Sequence, residues 1–212
     1  MPTYFHAGET HNRHSTNLHS AIQLGTRRIG HGFHLFLFPH LQDKIKELDI
    51  CIESCPLSNM VLGYTKDLRV HPVNYLMNRG IQVSISSDDP GLFGYEGVTL
   101  DYVYATGAWE LTIRDLKQLS LNGIKYSSVS AEKKKELYAI FDVKWKEWIA
   151  MVNAHNFNEK PKLHYFDMEG RAGHIRFALE ACGLKRNVDY EDCRYTGESW
   201  KALKGSGKLE FG

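Results

Sequence analysis

The sequence predicts an α/β protein: a parallel sheet of four β/α units, as in (β/α)8 barrels, followed by a smaller β-α-β unit. Two observations predict this class. Short apolar segments that end in polar clusters alternate with helix-like segments, at a period of roughly 25–30 residues. A polar stretch at residues 153–160 without periodicity then separates residues 1–152 from residues 161–212, where the strand and helix patterns begin again.

The first two units each bring a histidine to the end of a strand. Tyr4-Phe5 leads into HAGE at residues 6–9, and the helix-like segment that follows ends near Gly25, which fits a C-terminal cap. The second strand, RRIGHG at residues 27–32, ends at His31. A helix is predicted from Pro39 to residue 48.

The third and fourth units end in longer polar clusters. DICIESCPLSN at residues 49–59 is predicted as the third strand. HPVNYLMNRG at residues 71–80 is predicted as a helix, with proline at its first position and glycine as its stop. IQVSISSDDPG at residues 81–91 is predicted as the fourth strand, and it ends in two adjacent carboxylates, Asp88 and Asp89.

The polar clusters all follow their strands, so in a parallel barrel they would face one cavity. Imidazoles and carboxylates that converge on one point are the groups a zinc hydrolase requires. Taken singly, each of these residues is more typical of a structural role. The sequence Asp-Asp-Pro-Gly by itself is typical of a turn or a helix cap. Their order, one cluster per unit, favours a shared site. The candidates are His6, Glu9, His31, Glu53, Ser58, Asn59, Asp88 and Asp89.

Composition excludes few functions. A net charge of +1 and a pI of about 7.7 give no reason to expect nucleic acid or an anionic membrane as partner. We expect neither a transmembrane segment nor a signal peptide. The sequence therefore does not predict the cellular compartment. Four cysteines are too few for a disulfide framework, and Cys51 and Cys55 are predicted as small buried hydrophobes rather than a metal pair.

Four motifs carry a family resemblance. HAGE, RIGHG, ESCPLSN and SSDDPG, in this order, resemble the last four strands of adenosine deaminase over about residues 4–152. The flanking text DLRVHPVNYLMNRG and LKQLSLNGIKYS resembles the extracellular branch, the adenosine-deaminase-related growth factors. The resemblance implies half of a (β/α)8 TIM barrel and zinc-dependent hydrolytic deamination of adenosine or 2′-deoxyadenosine.

The resemblance also implies a role for each site residue. His6 and Asp88 would ligate zinc, and Asp88 would also touch the zinc-bound water. Glu9 would protonate the purine ring nitrogen beside the attacked carbon. His31 would orient the water and help to deprotonate it, and Asp89 would accept a hydrogen bond from the purine. The metal would thereby neutralise one of two adjacent carboxylates and leave the other to bind substrate.

The chain departs from the family in one respect. The family takes two more zinc ligands from a His-x-His pair, and this chain contains none. We therefore expect weak zinc binding and impaired activity; His11 and His14 are a less favoured substitute pair. Half a barrel also leaves open sheet edges through which the chain could self-associate. The nucleobase deaminases with His-x-Glu and Pro-Cys-x-x-Cys are excluded, because neither motif is present.

Residues 98–152 are predicted as helices, and the segment 131–152 is amphipathic. Its apolar residues recur at spacings of three and four, which predicts a face packed as core. These residues are Leu137, Phe141, Trp145, Trp148 and Val152.

Residues 161–212 carry another resemblance. KLHYFDMEGRAGHIRFALEACGL is similar to the N-terminal thioredoxin-like domain of sigma-class glutathione transferases, over residues 161–212. This implies that Tyr165 would stabilise the thiolate of glutathione, that Arg171 would support the site, and that Trp200 and Lys204 would contact the ligand. Because the match is partial, we expect a fold fragment without activity. The alternative is a glutathione transferase fragment that binds glutathione as its substrate.

Three hypotheses for function follow. The leading one is an adenosine-deaminase-type zinc hydrolase. The second is a non-catalytic fusion, either a growth-factor-like module or the product of a misjoined gene. The third is a glutathione-binding protein.

Overall fold

The computed structural model describes residues 3–10, 12, 14–154, 160, 162–166, 175–176, 179–180 and 184–206. The chain divides into two compact units, Met1–Trp145 and Lys146–Gly212. The linker that the sequence places at residues 153–160 stays a prediction, and its first two residues belong to a helix that ends at Ala154.

The first unit is built on a parallel sheet of four strands: β1 (Tyr4–Ala7), β2 (Arg28–His31), β3 (Cys51–Ser54) and β4 (Val83–Ile85). The strands lie in chain order, and every neighbouring pair is parallel. This confirms the predicted parallel sheet. The register aligns His6 with Gly30, Gly30 with Glu53, and Glu53 with Ser84.

Helices connect the strands and continue after the sheet. They are α1 (Asn17–Gln23), α2 (Pro39–Glu47), α3 (Pro56–Val61), α4 (Pro72–Asn78), α5 (Pro90–Phe93), α6 (Thr99–Trp109), α7 (Ile113–Lys125) and α8 (Ala131–Ala154), with short 3-10 helices at Phe33–Leu37 and Leu68–Val70. Four of them begin at a proline, whose fixed φ suits the first helical position. For this reason β3 ends at Ser54, earlier than the strand predicted over residues 49–59.

The core lies on one face of the sheet. Ile29, Ile52 and Val83 are almost completely buried there, together with residues of the connecting helices such as Leu18 and Leu76. Side chains alternate along a strand, so the row that contains His6 occupies the opposite face. The helices therefore cover one side of the sheet and leave the other side for polar groups.

Polar contacts fix the later helices to this core. The indole N–H of Trp109 in α6 donates to the carbonyl oxygen of Leu68 at 2.7 Å. The amide of Asn122 in α7 donates to the carbonyl oxygen of Val83 in β4, also at 2.7 Å. Both contacts are buried, so each aligns a helix with a specific strand or loop rather than only with an apolar surface.

Helix α8 carries the apolar face that its sequence predicts, but other apolar residues, Ile140, Val143 and Met151, are exposed elsewhere on the helix. The residues of this face are half-buried, and none is completely buried. It is therefore a partly covered surface and not the core face that the sequence predicts. Among the described helices, none combines the length and the apolar character needed to cross a membrane.

The second unit contains a parallel pair of strands, β5 (Lys162–Phe166) and β6 (Glu191–Tyr195), followed by α9 (Gly197–Gly205). Residues 175–176 and 179–180, between the strands, are helical. Arg176 and Asp192 form a buried ion pair with a nitrogen–oxygen distance of 3.0 Å. The thioredoxin-like assignment stays a prediction.

Candidate active site

The first strand pair positions His6. His6 in β1 lies beside Gly30 in β2. A Cβ atom at residue 30 would lie 3.1 Å from His6 Cδ2 and 3.3 Å from its Nε2. Glycine therefore leaves the space that the imidazole ring occupies against the neighbouring strand.

His31 and Asp88 share an uncommon backbone conformation. Their φ angles are 64° and 59°, in the left-handed region. For a residue with a Cβ atom this conformation costs about 1–2 kcal/mol, and such strain often occurs at functional sites. The two residues stand at the end of β2 and shortly after β4.

Three side chains meet at the carboxyl ends of the strands. Nitrogen and oxygen atoms of His6, His31 and Asp88 that could serve as metal ligands all lie within 4.8 Å of one another. His31 Nε2 lies 3.9 Å from Asp88 Oδ2 and 3.7 Å from Glu9 Oε1. Zinc bonds of about 2.0–2.2 Å would place ligand atoms roughly 3–4 Å apart. The cluster is thus slightly wider than a closed coordination sphere.

A buried chain of hydrogen bonds orients His31. The backbone N–H of Val73 donates to His71 Nδ1 at 3.2 Å, so His71 carries its proton on Nε2. That proton is donated to Asn59 Oδ1 at 3.0 Å. The amide group of Asn59 is left to donate to His31 Nδ1, at 3.4 Å.

This chain also determines where His31 holds its proton. Because Nδ1 of His31 accepts a hydrogen bond, a neutral ring carries its proton on Nε2. That atom faces the carboxylates of Glu9 and Asp88. The His31 side chain is only 1% exposed, so its two nitrogens have little access to other partners.

Neighbouring helices support Asp88. The hydroxyl of Ser58 in α3 donates to Asp88 Oδ2 at 2.6 Å. The start of α3 is held by Asp101 of α6, whose carboxylate accepts the N–H of Leu57 at 3.1 Å and the hydroxyl proton of Tyr95, also at 3.1 Å. Burial raises the pKa of the Asp101 carboxyl. It also raises the pKa of the Tyr95 hydroxyl above the usual range of tyrosine.

The sequence does not predict the roles of His71, Tyr95 and Asp101. His71 is visible in the sequence only as the residue before the first proline of α4. Asp101 acts on a residue 44 positions earlier. The local pattern around either residue carries no signal for these contacts.

Two predicted members lie apart from this cluster. Glu53 forms an ion pair with Arg28, at 3.4 Å, because the opposite charges lie on adjacent strands. Asp89 is exposed at the start of α5, where its carbonyl oxygen accepts the N–H groups of Leu92 and Phe93. Of the less favoured substitute histidines, His14 is exposed and His11 lies outside the described residues.

The two cysteines in and just after β3 are buried, as predicted. Cys51 is 0% exposed and Cys55 is 3% exposed. Burial raises the pKa of the Cys51 thiol to about 12, and the pKa of Cys55 rises above the usual range for the same reason. Because the thiolate is the reactive form, both residues act as small hydrophobes.

The residues predicted to bind glutathione are described only in part. Tyr165 in β5 and Trp200 in α9 are half-buried, and the ring of Trp200 lies 5.7 Å from that of Tyr195. Arg171 lies outside the described residues, as does the side chain of Lys204.

Comparisons with known proteins agree with the geometry of the first unit. The adenosine deaminase family model matches residues 2–143. Adenosine deaminase 2 of Dictyostelium discoideum is 46% identical over 147 residues, covering 69% of this chain and 27% of that protein. Adenosine deaminase 2 of Homo sapiens is 41% identical over 158 residues, covering 72% and 31%. The chain thus spans less than a third of these relatives.

Solved structures show the same partial fold. The adenine deaminase of Arthrobacter aurescens superposes with a TM-score of 0.61 at 25% identity, over 71% of this chain and 44% of that protein. An amidohydrolase from Burkhoderia ambifaria, solved with bound zinc, superposes with a TM-score of 0.57 at 23% identity, over 66% and 39%. The latter likeness concerns the fold alone.

Proposed function

This chain belongs to the adenosine deaminase family, and on that premise we propose that its site serves the hydrolytic deamination of adenosine or 2′-deoxyadenosine. Water replaces the 6-amino group, and the products are ammonia and inosine or 2′-deoxyinosine. The observation that carries the proposal is the convergence of His6, His31 and Asp88 beside Glu9.

The donor atoms at the site fit zinc. His6 and Asp88 would hold the ion, because imidazole nitrogen and carboxylate oxygen are donors that zinc accepts. The hydrogen bond from Ser58 orients the Asp88 carboxylate, as outer partners of metal ligands commonly do. When bound, zinc lowers the pKa of water so that hydroxide is available near neutral pH.

The proton on His31 Nε2 supports an acid–base role for this residue rather than a role as ligand. A nitrogen that carries a proton has no lone pair for a metal, whereas it can donate to an oxygen and exchange its proton there. Glu9, 3.7 Å from the same nitrogen, would deliver a proton to the purine ring.

The two adjacent aspartates differ in their surroundings, which supports different roles for them. Asp88 is about one-fifth exposed and accepts the hydroxyl proton of Ser58. Asp89 is exposed at the start of α5. Asp89 would therefore remain available to accept a hydrogen bond from the purine.

Zinc titration and an adenosine assay test this proposal on the purified chain. With two protein ligands and no His-x-His pair, we expect weak zinc binding that dialysis reverses, and slow or undetectable formation of inosine. Asp88→Asn should remove the zinc binding at His6 and Asp88, measured in a His19→Gln, His40→Gln background. Any activity should disappear in Glu9→Gln, because the amide cannot donate the ring proton. An active Glu9→Gln variant, or zinc binding that is unaffected by Asp88→Asn, would contradict the mechanism.

Association with another chain is a further part of the proposal. Within the described residues, β1 and β4 each pair on one side only. On β4 the carbonyl oxygen of Val83 already accepts the amide of Asn122, so β1 is the edge that presents backbone groups to a partner strand. Self-association through this edge should appear as a concentration-dependent mass in sedimentation. A non-catalytic growth-factor-like role would be favoured if the chain binds partners but neither zinc nor nucleoside.

For the second unit we propose no more than a β-α-β fold fragment. The parallel pairing of β5 and β6 supports it. Glutathione binding through Tyr165, Arg171, Trp200 and Lys204 is the alternative, and retention on immobilised glutathione tests it.

A further inference from the structure

A second pair of histidines lies on the helices, outside the group formed by His6, His31 and Asp88. His19 belongs to α1 and His40 to α2, and their Nε2 atoms are 3.2 Å apart. We propose that this pair binds a divalent transition-metal ion of the class that prefers imidazole, namely Cu²⁺, Ni²⁺ or Zn²⁺.

The spacing of the two nitrogens suits a shared ion. Two imidazole nitrogens bonded to one tetrahedral ion at about 2.0–2.1 Å lie about 3.3 Å apart. The observed 3.2 Å between His19 Nε2 and His40 Nε2 therefore needs almost no change to accept a tetrahedral ion. Cis nitrogens at about 2.0 Å on a tetragonal Cu²⁺ ion would lie about 2.8 Å apart, so binding Cu²⁺ draws the two atoms roughly 0.4 Å closer. In the absence of metal, one ring can donate an N–H to the other.

Among the described residues, the contact with His40 is the one hydrogen bond shown for the His19 ring. Its Nδ1 atom is buried and has no hydrogen-bond partner among the described residues. Whichever ring of the pair carries the shared proton, this atom remains unsatisfied, which costs stability. A metal bound at Nε2 leaves this cost unchanged, so what favours a shared ion is the spacing of the two Nε2 atoms.

Aromatic packing holds both rings in place. The ring of Phe38 lies 5.6 Å from that of His19 and 6.2 Å from that of His40, in edge-on contacts. His40 is exposed, so water can fill the remaining coordination positions. Among the described residues, no third histidine, cysteine or carboxylate completes a metal group here. The site is thus an open one with two protein ligands, weaker than a closed structural site.

Such an ion would join two helices that are separated along the chain by β2 and a 3-10 helix. Helix α1 follows β1, and α2 follows β2. An ion that binds the folded chain better than the unfolded chain raises the melting temperature by mass action. This predicts a metal-dependent stabilisation that requires both histidines.

Cu²⁺ titration of the full chain tests the proposal. A background with His6→Ala and Asp88→Asn removes the other candidate site. In this background we expect one bound equivalent of Cu²⁺ by calorimetry, nitrogen coordination by electron paramagnetic resonance, and a rise in melting temperature. His19→Gln and His40→Gln should each abolish all three, whereas His14→Gln, which alters another exposed histidine, should change none.

Two results would overturn the proposal. One is a background chain that binds no Cu²⁺ although circular dichroism shows it folded. The other is a folded His19→Gln, His40→Gln double variant that keeps both the bound equivalent and its nitrogen signal.

Discussion

The stability of the first unit should fall at acid pH because of His71. This residue is 3% exposed, and burial lowers its pKa from 6.5 to about 4. The unfolded chain takes up a proton on this ring near pH 6.5, and the folded chain resists protonation until about pH 4. The contribution of His71 is therefore fully present above pH 6.5 and is lost as the pH falls toward 4.

The magnitude follows from the two pKa values. Their difference corresponds to about 3 kcal/mol once protonation is complete, and to roughly 2 kcal/mol near pH 5. This is a large part of the usual stability of a domain, about 5–15 kcal/mol. Structurally, protonation places a hydrogen on Nδ1, where Val73 N–H now donates, and a charge between the rings of Phe33 and Trp109.

Denaturant unfolding of wild type and His71→Asn, near neutral pH and near pH 5, measures this loss. Asparagine can still accept the Val73 N–H at the start of α4 but cannot titrate. The variant should be less stable near neutral pH, because it loses the donor to Asn59. It should then lose roughly 2 kcal/mol less than wild type on acidification.

Two results would refute this role for His71. Equal losses in wild type and variant would show that His71 does not titrate between the two states. A His71 ring resonance that titrates near pH 6.5 in the folded chain would show that burial does not hold the ring neutral.

Three more predictions concern other residues. Gly30→Ala should push aside the ring of His6, which weakens zinc binding as measured by calorimetry. It should also lower stability by about 1–3 kcal/mol in thermal melts. Unchanged zinc binding would contradict the close approach of His6 to residue 30. Ser58→Ala should weaken zinc binding by roughly 10–100-fold, because Asp88 loses its donor, and an unchanged zinc titration would argue against this. The chain should pass through immobilised glutathione, and retention that Tyr165→Phe abolishes would show that the second unit binds it.

The sequence predicts the sheet well because the signals are local. Each strand is a short apolar run, and Pro39 and Pro72 begin their helices where expected. The third and fourth strands, predicted over residues 49–59 and 81–91, are overpredicted, because each stretch includes a proline, Pro56 or Pro90, that already starts a helix.

The site is predicted less completely, because several of its contacts are long-range. The four motifs indicate which residues meet at the strand ends. The support from Asp101 and the proton position on His31 depend instead on hydrogen bonds across 44 and 28 residues. No periodicity or spacing in the sequence encodes such contacts.

The left-handed backbone at His31 and Asp88 has a consequence for protein engineering. Glycine at either position, and asparagine to a lesser degree, relieves this backbone conformation, and any gain in melting temperature comes with the loss of a side chain that the site needs. A library selected only for heat resistance would then enrich inactive clones at these two positions. Selection for thermostability should therefore hold both codons fixed and diversify the helical surface instead.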